Sequence, residues 1–140
     1  MRILLVVVVL LIVTGAACGG GGDDEGRANA VRAVFWRSGT PEPGIVPAVA
    51  QDFECVIAGG GPYPGIRVPG VCRWDAERDG DGWIVSEKQT WRCEDFNAIT
   101  EGKEACTGET GWHTYRYRLD PDGGVSYLDD SGIFPPGAVE

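Results

Sequence analysis

The sequence has few of the motifs from which enzymes build nucleotide, metal or nucleophile sites. It contains no Walker loop, no Rossmann fingerprint, no GxSxG elbow and no CxxC pair, and His113 is its only histidine. It also lacks the internal repeats of roughly 20 to 50 residues that mark solenoids and propellers. These absences argue against a nucleotide enzyme and a zinc module, and we predict no metal and no cofactor.

The long apolar run at the start of the chain is too short to span a bilayer. Residues 3–13 are eleven consecutive aliphatic residues, whereas a membrane-spanning helix needs about 20 apolar residues. Arg2 precedes the run, and the small residues of 14–17 follow it. A positive start, a short apolar stretch and small residues are typical of a secretory signal peptide.

A cysteine, Cys18, comes directly after the small residues. This arrangement resembles the lipobox of bacterial lipoproteins, although Gly15 stands where an aliphatic residue is typical. The resemblance implies cleavage before Cys18, a lipid on its sulfur and often acylation of the new amino group. The alternative is ordinary cleavage at Ala17 or slightly later, which would leave Cys18 as a free thiol.

The predicted cleavage sets the length and the net charge of the mature chain, and these limit the classes of partner that it can bind. Removing residues 1–17 leaves 123 residues and changes the formal net charge from −9 to −10, because Arg2 is lost. We predict a lipidated flexible tether at 18–23 and one globular domain at 24–140. A chain this acidic is repelled by nucleic acid and by anionic head groups. We therefore predict no nucleic-acid partner and expect membrane contact through the lipid alone.

The segment after the tether, residues 24–38, predicts one amphipathic helix. Asp24 is the expected N-cap, and Gly39 supplies the stop. Four apolar residues recur at helical spacing and predict the buried stripe: Ala28, Val31, Val34 and Phe35.

The middle of the chain predicts antiparallel strands. Residues 52–57 alternate as in a half-buried strand, whereas residues 58–70 are rich in proline and glycine and predict a loop. A hairpin with strands 71–77 and 83–93 turns at RDGDGW. If Arg78 opposes Trp83, Ala76 opposes Val85, Trp74 opposes Glu87 and Cys72 opposes Gln89. This register brings the apolar sets of both strands to one side, with Glu87 and Gln89 among them.

A second hairpin is predicted at DPDGG, residues 120–124. Pro121 and Asp122 suit a type I turn, and Gly123 suits the left-handed position after it. Leu119 then opposes Val125, and Tyr117 opposes Tyr127. Residues 131–140 are expected to form a tail with Phe134 tucked in.

The four downstream cysteines predict two disulfides once Cys18 is assigned to lipid. The hairpin register disfavours Cys72–Cys93, because it separates them by roughly 13 Å along the strand, and a disulfide spans about 4.4–6.8 Å between Cα atoms. We favour Cys55–Cys72 with Cys93–Cys106. The crossed pairing, Cys55–Cys93 with Cys72–Cys106, stays open. Each favoured bond closes a loop of roughly 15 residues, worth about 3 kcal/mol.

Three features of the sequence are candidate sites. Residues 75–87 imitate the start of an EF-hand loop, but Ser86 stands where the bidentate glutamate is required, so turn chemistry is favoured.

His113 could serve a triad with Ser86, Ser126 or Ser131, but it shares a face with Tyr115 and Tyr117, which favours packing. Trp112 alternates to the opposite face and is the predicted binding surface.

The element order predicts an α+β fold with the helix packed on an antiparallel sheet. It resembles cystatin-like cone folds at the level of elements, and a small β-sandwich or barrel is the alternative. The sequence favours a non-enzymatic binding or accessory lipoprotein of the cell envelope, with an envelope protein or a glycan as partner. A small envelope hydrolase using carboxylates or His113 is the second hypothesis.

The intact mass of the membrane-extracted protein tests these predictions together. We expect a chain that begins at Cys18, carries acyl groups and lacks the hydrogens of four thiols, because export places those thiols in an oxidising compartment. A reduced and unacylated cytosolic protein that still carries Met1 would contradict both the anchor and the export.

Overall fold

The computed structural model describes residues 21–38, 46–58, 67–99 and 106–132. The signal segment, Cys18 and Phe134 lie outside these ranges. The elements in chain order are α1 (Gly21–Ser38), β1 (Asp52–Ala58), β2 (Arg67–Asp79), β3 (Gly82–Arg92), α2 (Cys93–Ile99), β4 (Thr110–Leu119) and β5 (Val125–Gly132).

The five strands form one antiparallel sheet in the order β1-β2-β3-β4-β5. The predicted pairs of the first hairpin are all present, from Arg78 opposite Trp83 to Cys72 opposite Gln89. The second hairpin also has its predicted pairs, and Gly123 adopts a φ of 85°. The sheet is open, and α1 packs on one face of it, which confirms the α+β class rather than the sandwich or barrel.

Helix α1 begins earlier than predicted. It starts at Gly21, inside the predicted tether, so Asp24 lies in the first turn and is not the N-cap. Acidic side chains in the first turn interact favourably with the positive end of the helix dipole. The buried stripe is also shifted, because Ala28 is only partly buried. Its members are Ala30, Val31, Val34 and Phe35.

Two separate apolar clusters hold the helices to the sheet. The first joins α1 to the turn end of the β2–β3 hairpin through Trp74, Ala76 and Val85, and to the end of β4 through Leu119. Phe35 meets the Trp74 ring edge-on, with centroids 5.5 Å apart. Edge-to-face pairs of this kind contribute about 0.5–1.5 kcal/mol beyond the area they bury.

The second cluster surrounds the two disulfides and α2. It consists of Ile57, Val68, Cys72, Trp91, Cys93, Phe96 and Cys106. The bonds are Cys55–Cys72 and Cys93–Cys106, which confirms the favoured pairing and excludes the crossed one. The disulfides thus crosslink the chain where α2 and β1 meet the sheet, in a cluster that does not enclose a large apolar core.

Further sequence predictions of the element bounds were also wrong. Residues 67–70, predicted as loop, belong to β2, and Pro69 pairs with Val56. Pairing of β2 with β3 begins only at Gly70, so Pro69 has a neighbouring strand on one side, where proline is tolerated. Cys93, predicted as the end of a strand, is the first residue of α2.

A close contact at Gly111 should make this position intolerant of a side chain. Gly111 pairs with Trp91, and a Cβ atom at Gly111 would lie 2.4 Å from Cε2 of the buried indole. We expect Gly111→Ala to lower the free energy of unfolding by about 1–3 kcal/mol, measured by urea denaturation. Gly22→Ala is the control, since nothing lies within 4 Å of its added methyl. Equal denaturation midpoints for the two variants would contradict the packing described.

Candidate functional site: a recess on the inner face of the sheet

The face of the sheet that carries α1, called the inner face here, changes character along its length. Its strand residues are apolar near α1 and again near α2, where the two clusters lie. Between the clusters the inward positions are polar: Glu87 and Gln89 on β3, His113 and Tyr115 on β4, and Asp130 on β5. A polar strip therefore crosses β3, β4 and β5 between the two apolar clusters.

A recess lies above part of this strip. Its inner-face walls come from the C-terminal end of α1 (Phe35, Ser38), from β1 to β4, and from the Cys55–Cys72 disulfide. The full recess measures about 990 Å³, but residues of the opposite face, including Val71 and Thr90, also line it. The portion of the recess above the inner face is therefore smaller than this volume. It is the portion in which polar groups converge.

Glu87 is the polar centre of the recess. Its direct cross-strand neighbours are Trp74 on β2 and Tyr115 on β4, so an aromatic residue stands on each side of the carboxylate. Gln89 Nε2 donates a hydrogen bond of 2.9 Å to Glu87 Oε1. Burial raises the pKa of Glu87 above its ordinary value, and the Gln89 hydrogen bond only partly offsets this.

The tyrosines of β4 experience the same environment. Burial and then the nearby Glu87 charge raise the pKa of Tyr117 to about 12, against a hydrogen bond with Ser38 that lowers it. Burial and then the Glu87 charge also raise the pKa of Tyr115. Both phenols therefore remain protonated at neutral pH and can donate hydrogen bonds. Trp91, also in the lining, has a buried Nε1 that meets no acceptor within the described residues.

His113 packs beside the recess, against a tyrosine. It is 1 % exposed, its ring lies 4.6 Å from that of Tyr115, and its Nε2 lies 3.0 Å from Asp130 Oδ2. Hydrogen bonds from His113 and then Tyr127 lower the pKa of Asp130. This contact between buried His113 and partly exposed Asp130 ties β4 to β5 at the end of the hairpin remote from the β4–β5 turn.

The three serines considered as partners of His113 lie on the outer face, opposite to His113. Ser86 and Ser126 face outward beside arginines of β4, and Ser131 pairs with Thr114. The sheet thus separates these hydroxyls from the imidazole. Asp75 and Asp79, from the EF-hand-like stretch, pair with Arg27 and Arg118, and no cluster of metal-binding side chains occurs within the described ranges.

Trp112 lies on the outer face and is 41 % exposed. Thr90 is its cross-strand partner, and exposed Val71 follows on β2, so the three form a row across that face. Trp36 at the end of α1 is more exposed, at 50 %. The role of Trp112 in binding stays a prediction.

Sequence reasoning placed Glu87 and Gln89 on the apolar face of the hairpin but assigned them no role. The sequence signal for the recess was the presence of two polar residues at inward positions, between the apolar residues Val85 and Trp91. Inward polar residues that are not mutually neutralised often mark a site. The local sequence around Glu87 could not predict that Phe35 and Ser38 line the recess, because these two residues belong to α1, more than 40 residues earlier in the chain.

The raised pKa of Glu87 predicts that its ionised form costs stability. The folded chain disfavours the carboxylate, so the cost appears as pH rises through the folded pKa and vanishes below the unfolded value of about 4.3. We expect Glu87→Gln to increase the free energy of unfolding at neutral pH by about 1 kcal/mol. The difference should disappear near pH 3.5, roughly one unit below that unfolded value.

Urea denaturation of the two proteins over a pH series checks this. Tyr115 and Tyr117 stay neutral over that range, and Asp130 titrates in both proteins and cancels in the difference. Glu77→Gln is the control, because Glu77 is exposed on the outer face. A variant less stable than the parent at neutral pH, or a difference that does not change with pH, would show that Glu87 is a structural residue.

Comparison with known proteins does not place the chain in a family. No family model matches the sequence, and neither the curated proteins nor the solved structures contain a match. No helix within the described ranges is long and apolar enough to cross a bilayer. The chemistry of the chain's own residues is therefore the basis for assigning its function.

Proposed function

We propose that this protein is an exported, lipid-anchored binding module of the cell envelope that takes a small ligand in the inner-face recess. The observation that carries the proposal is Glu87, a carboxylate held between aromatic side chains and partly removed from water without an ion-pair partner among the described residues. Such an arrangement costs stability in the free protein. It is typical of a site that a ligand completes.

The composition of the recess supports binding. Ligand sites are mostly apolar and aromatic, with a few convergent polar groups that orient the ligand. Here Phe35, Phe53 and Trp74 supply apolar surface, and Glu87 and Tyr117 supply an acceptor and a donor. The disulfide Cys55–Cys72 crosslinks one wall to the floor, which holds the recess in shape without a ligand.

The anchor and the location are supported by sequence and by sulfur chemistry. Two disulfides are stable in an oxidising compartment and rare in the cytosol. The signal-like segment and Cys18 supply the route out and the lipid. Attachment near a membrane would present the module to ligands outside the cell.

Nuclear magnetic resonance of the detergent-extracted protein with defined probes tests the proposal. Benzylammonium, benzyl alcohol and benzoate share a phenyl ring and differ in charge. We expect at least one to shift inner-face resonances, those of Gln89 and Tyr117 among them, in a saturable manner.

Gln89→Phe should abolish these shifts by filling the recess beside Glu87. Lys88→Phe is the matched control, because Lys88 is the next residue and is exposed on the outer face. Probes that shift only Trp112 and its neighbours would move the binding surface to the outer face. An inner face unaffected by every probe would refute the proposal.

A further inference from the structure

We infer that the recess selects a cation: a small molecule whose ammonium group pairs with Glu87 and packs against the rings beside it. The inference rests on the proposed function and narrows it to one ligand chemistry. It follows from which charges face the recess, what surrounds Glu87 and how α1 is oriented.

The first argument is the charge distribution of the inner face. Among the described inward-facing strand positions, Arg78 is the only lysine or arginine, and its guanidinium lies over the Trp83 ring, 4.3 Å from the centroid, at the turn end of the hairpin. Glu87 and Asp130 are the carboxylates there, and Asp130 already meets His113 and Tyr127. Glu87 is thus the charge that a cation would neutralise.

The arginines at the edge of the recess belong to other contacts. Arg67 and Arg92 contribute to its lining from outer-face positions, where they pair in register with Ala58 and Thr110. Arg92 forms a salt bridge with Glu94. Both stand on the side of α2, away from the Trp74–Glu87–Tyr115 row.

The second argument is the aromatic surround. Glu87 has Trp74 and Tyr115 as cross-strand neighbours, and Tyr117 lies almost parallel to Trp74, with an angle of 12° between the rings and 6.4 Å between their centroids. The faces of such rings carry partial negative charge and attract cations, more strongly where water is excluded. A carboxylate among rings therefore suits an ammonium better than a neutral hydroxyl.

The third argument is the direction of α1. Its C-terminal turn, with Phe35 and Ser38, forms a wall of the recess. The C-terminal end of a helix carries a partial negative charge of about half an elementary charge. The basic residue of that turn, Arg37, donates instead to the Gly123 carbonyl in the β4–β5 turn. The helix end and Glu87 thus add potentials of the same sign.

Affinities of the three phenyl probes, measured by the same resonances, test the cation preference. We expect benzylammonium to bind at least about tenfold more tightly than benzyl alcohol, and benzoate to bind more weakly than either, because charge-assisted hydrogen bonds are stronger than neutral ones. In Glu87→Gln the affinity for benzylammonium should fall to that for benzyl alcohol. The affinity for benzyl alcohol should change less than about twofold.

Two further variants separate charge from fold. Glu77→Gln removes the same charge from the outer face and should leave all three affinities unchanged. Tyr115→Leu removes a ring without changing charge, and it should weaken benzylammonium more than benzyl alcohol, whereas Tyr115→Phe should retain the preference.

The outcomes distinguish this inference from the function on which it rests. If the neutral or anionic probe binds the inner face as tightly as the cation, and Glu87→Gln changes nothing, the cation preference is wrong and the binding module stands. If no probe reaches the inner face in the parent protein, both proposals fail. If Glu77→Gln also loses benzylammonium binding, the preference for the cation comes from the net charge of the chain. That result would overturn the role of Glu87.

Discussion

The register between β2 and β3 is the constraint on which the rest of the structure depends. These are the two longest strands, and their tight turn leaves Gly80 with a φ of 61°. Side chains alternate between faces with a period of two, so a slip of one residue would exchange the faces of a strand. With the observed register, Trp74 and Val85 reach α1, Cys72 reaches Cys55, and Glu87 faces the recess.

The recess exists because the inner face is covered from two sides by separate buried clusters, and the partly buried Phe53 packs against both of them. Helix α1 covers the turn end of the hairpin, and α2 with the two disulfides covers the other end. The strands between them present polar side chains where a continuous core would need apolar ones. The chain thus gives up part of its hydrophobic stabilisation at Glu87 and Gln89, and it compensates with crosslinks in the neighbouring cluster. Proteins commonly trade stability for function in this way.

Local chemistry explains what the sequence could predict. Turn residues and alternation act within one hairpin, so the pairs from Arg78–Trp83 to Cys72–Gln89 could be predicted. That register disfavoured Cys72–Cys93, but it left the crossed disulfide pairing open beside the favoured one. The ends of the elements were harder to predict. Gly21 and Gly22 are weak helix formers, yet α1 includes them. Pro69 argued against a strand at 67–70, although these residues begin β2. The recess was missed because its walls come from distant segments. Only Glu87 and Gln89, polar at inward positions, marked it locally.

The early start of α1 has a geometric consequence if Cys18 carries a lipid. Only Gly19 and Gly20 separate Cys18 from the first helical residue, and each residue can extend the chain by at most about 3.6 Å. The N-terminal end of the helix would then stand within roughly 10 Å of the head groups. Along α1, with a rise of about 1.5 Å per residue, Ser38 lies roughly 25 Å from Gly21. A helix standing away from the bilayer would hold the mouth beside Phe35 and Ser38 above the lipid surface, where dissolved molecules could enter it without crossing the head-group layer.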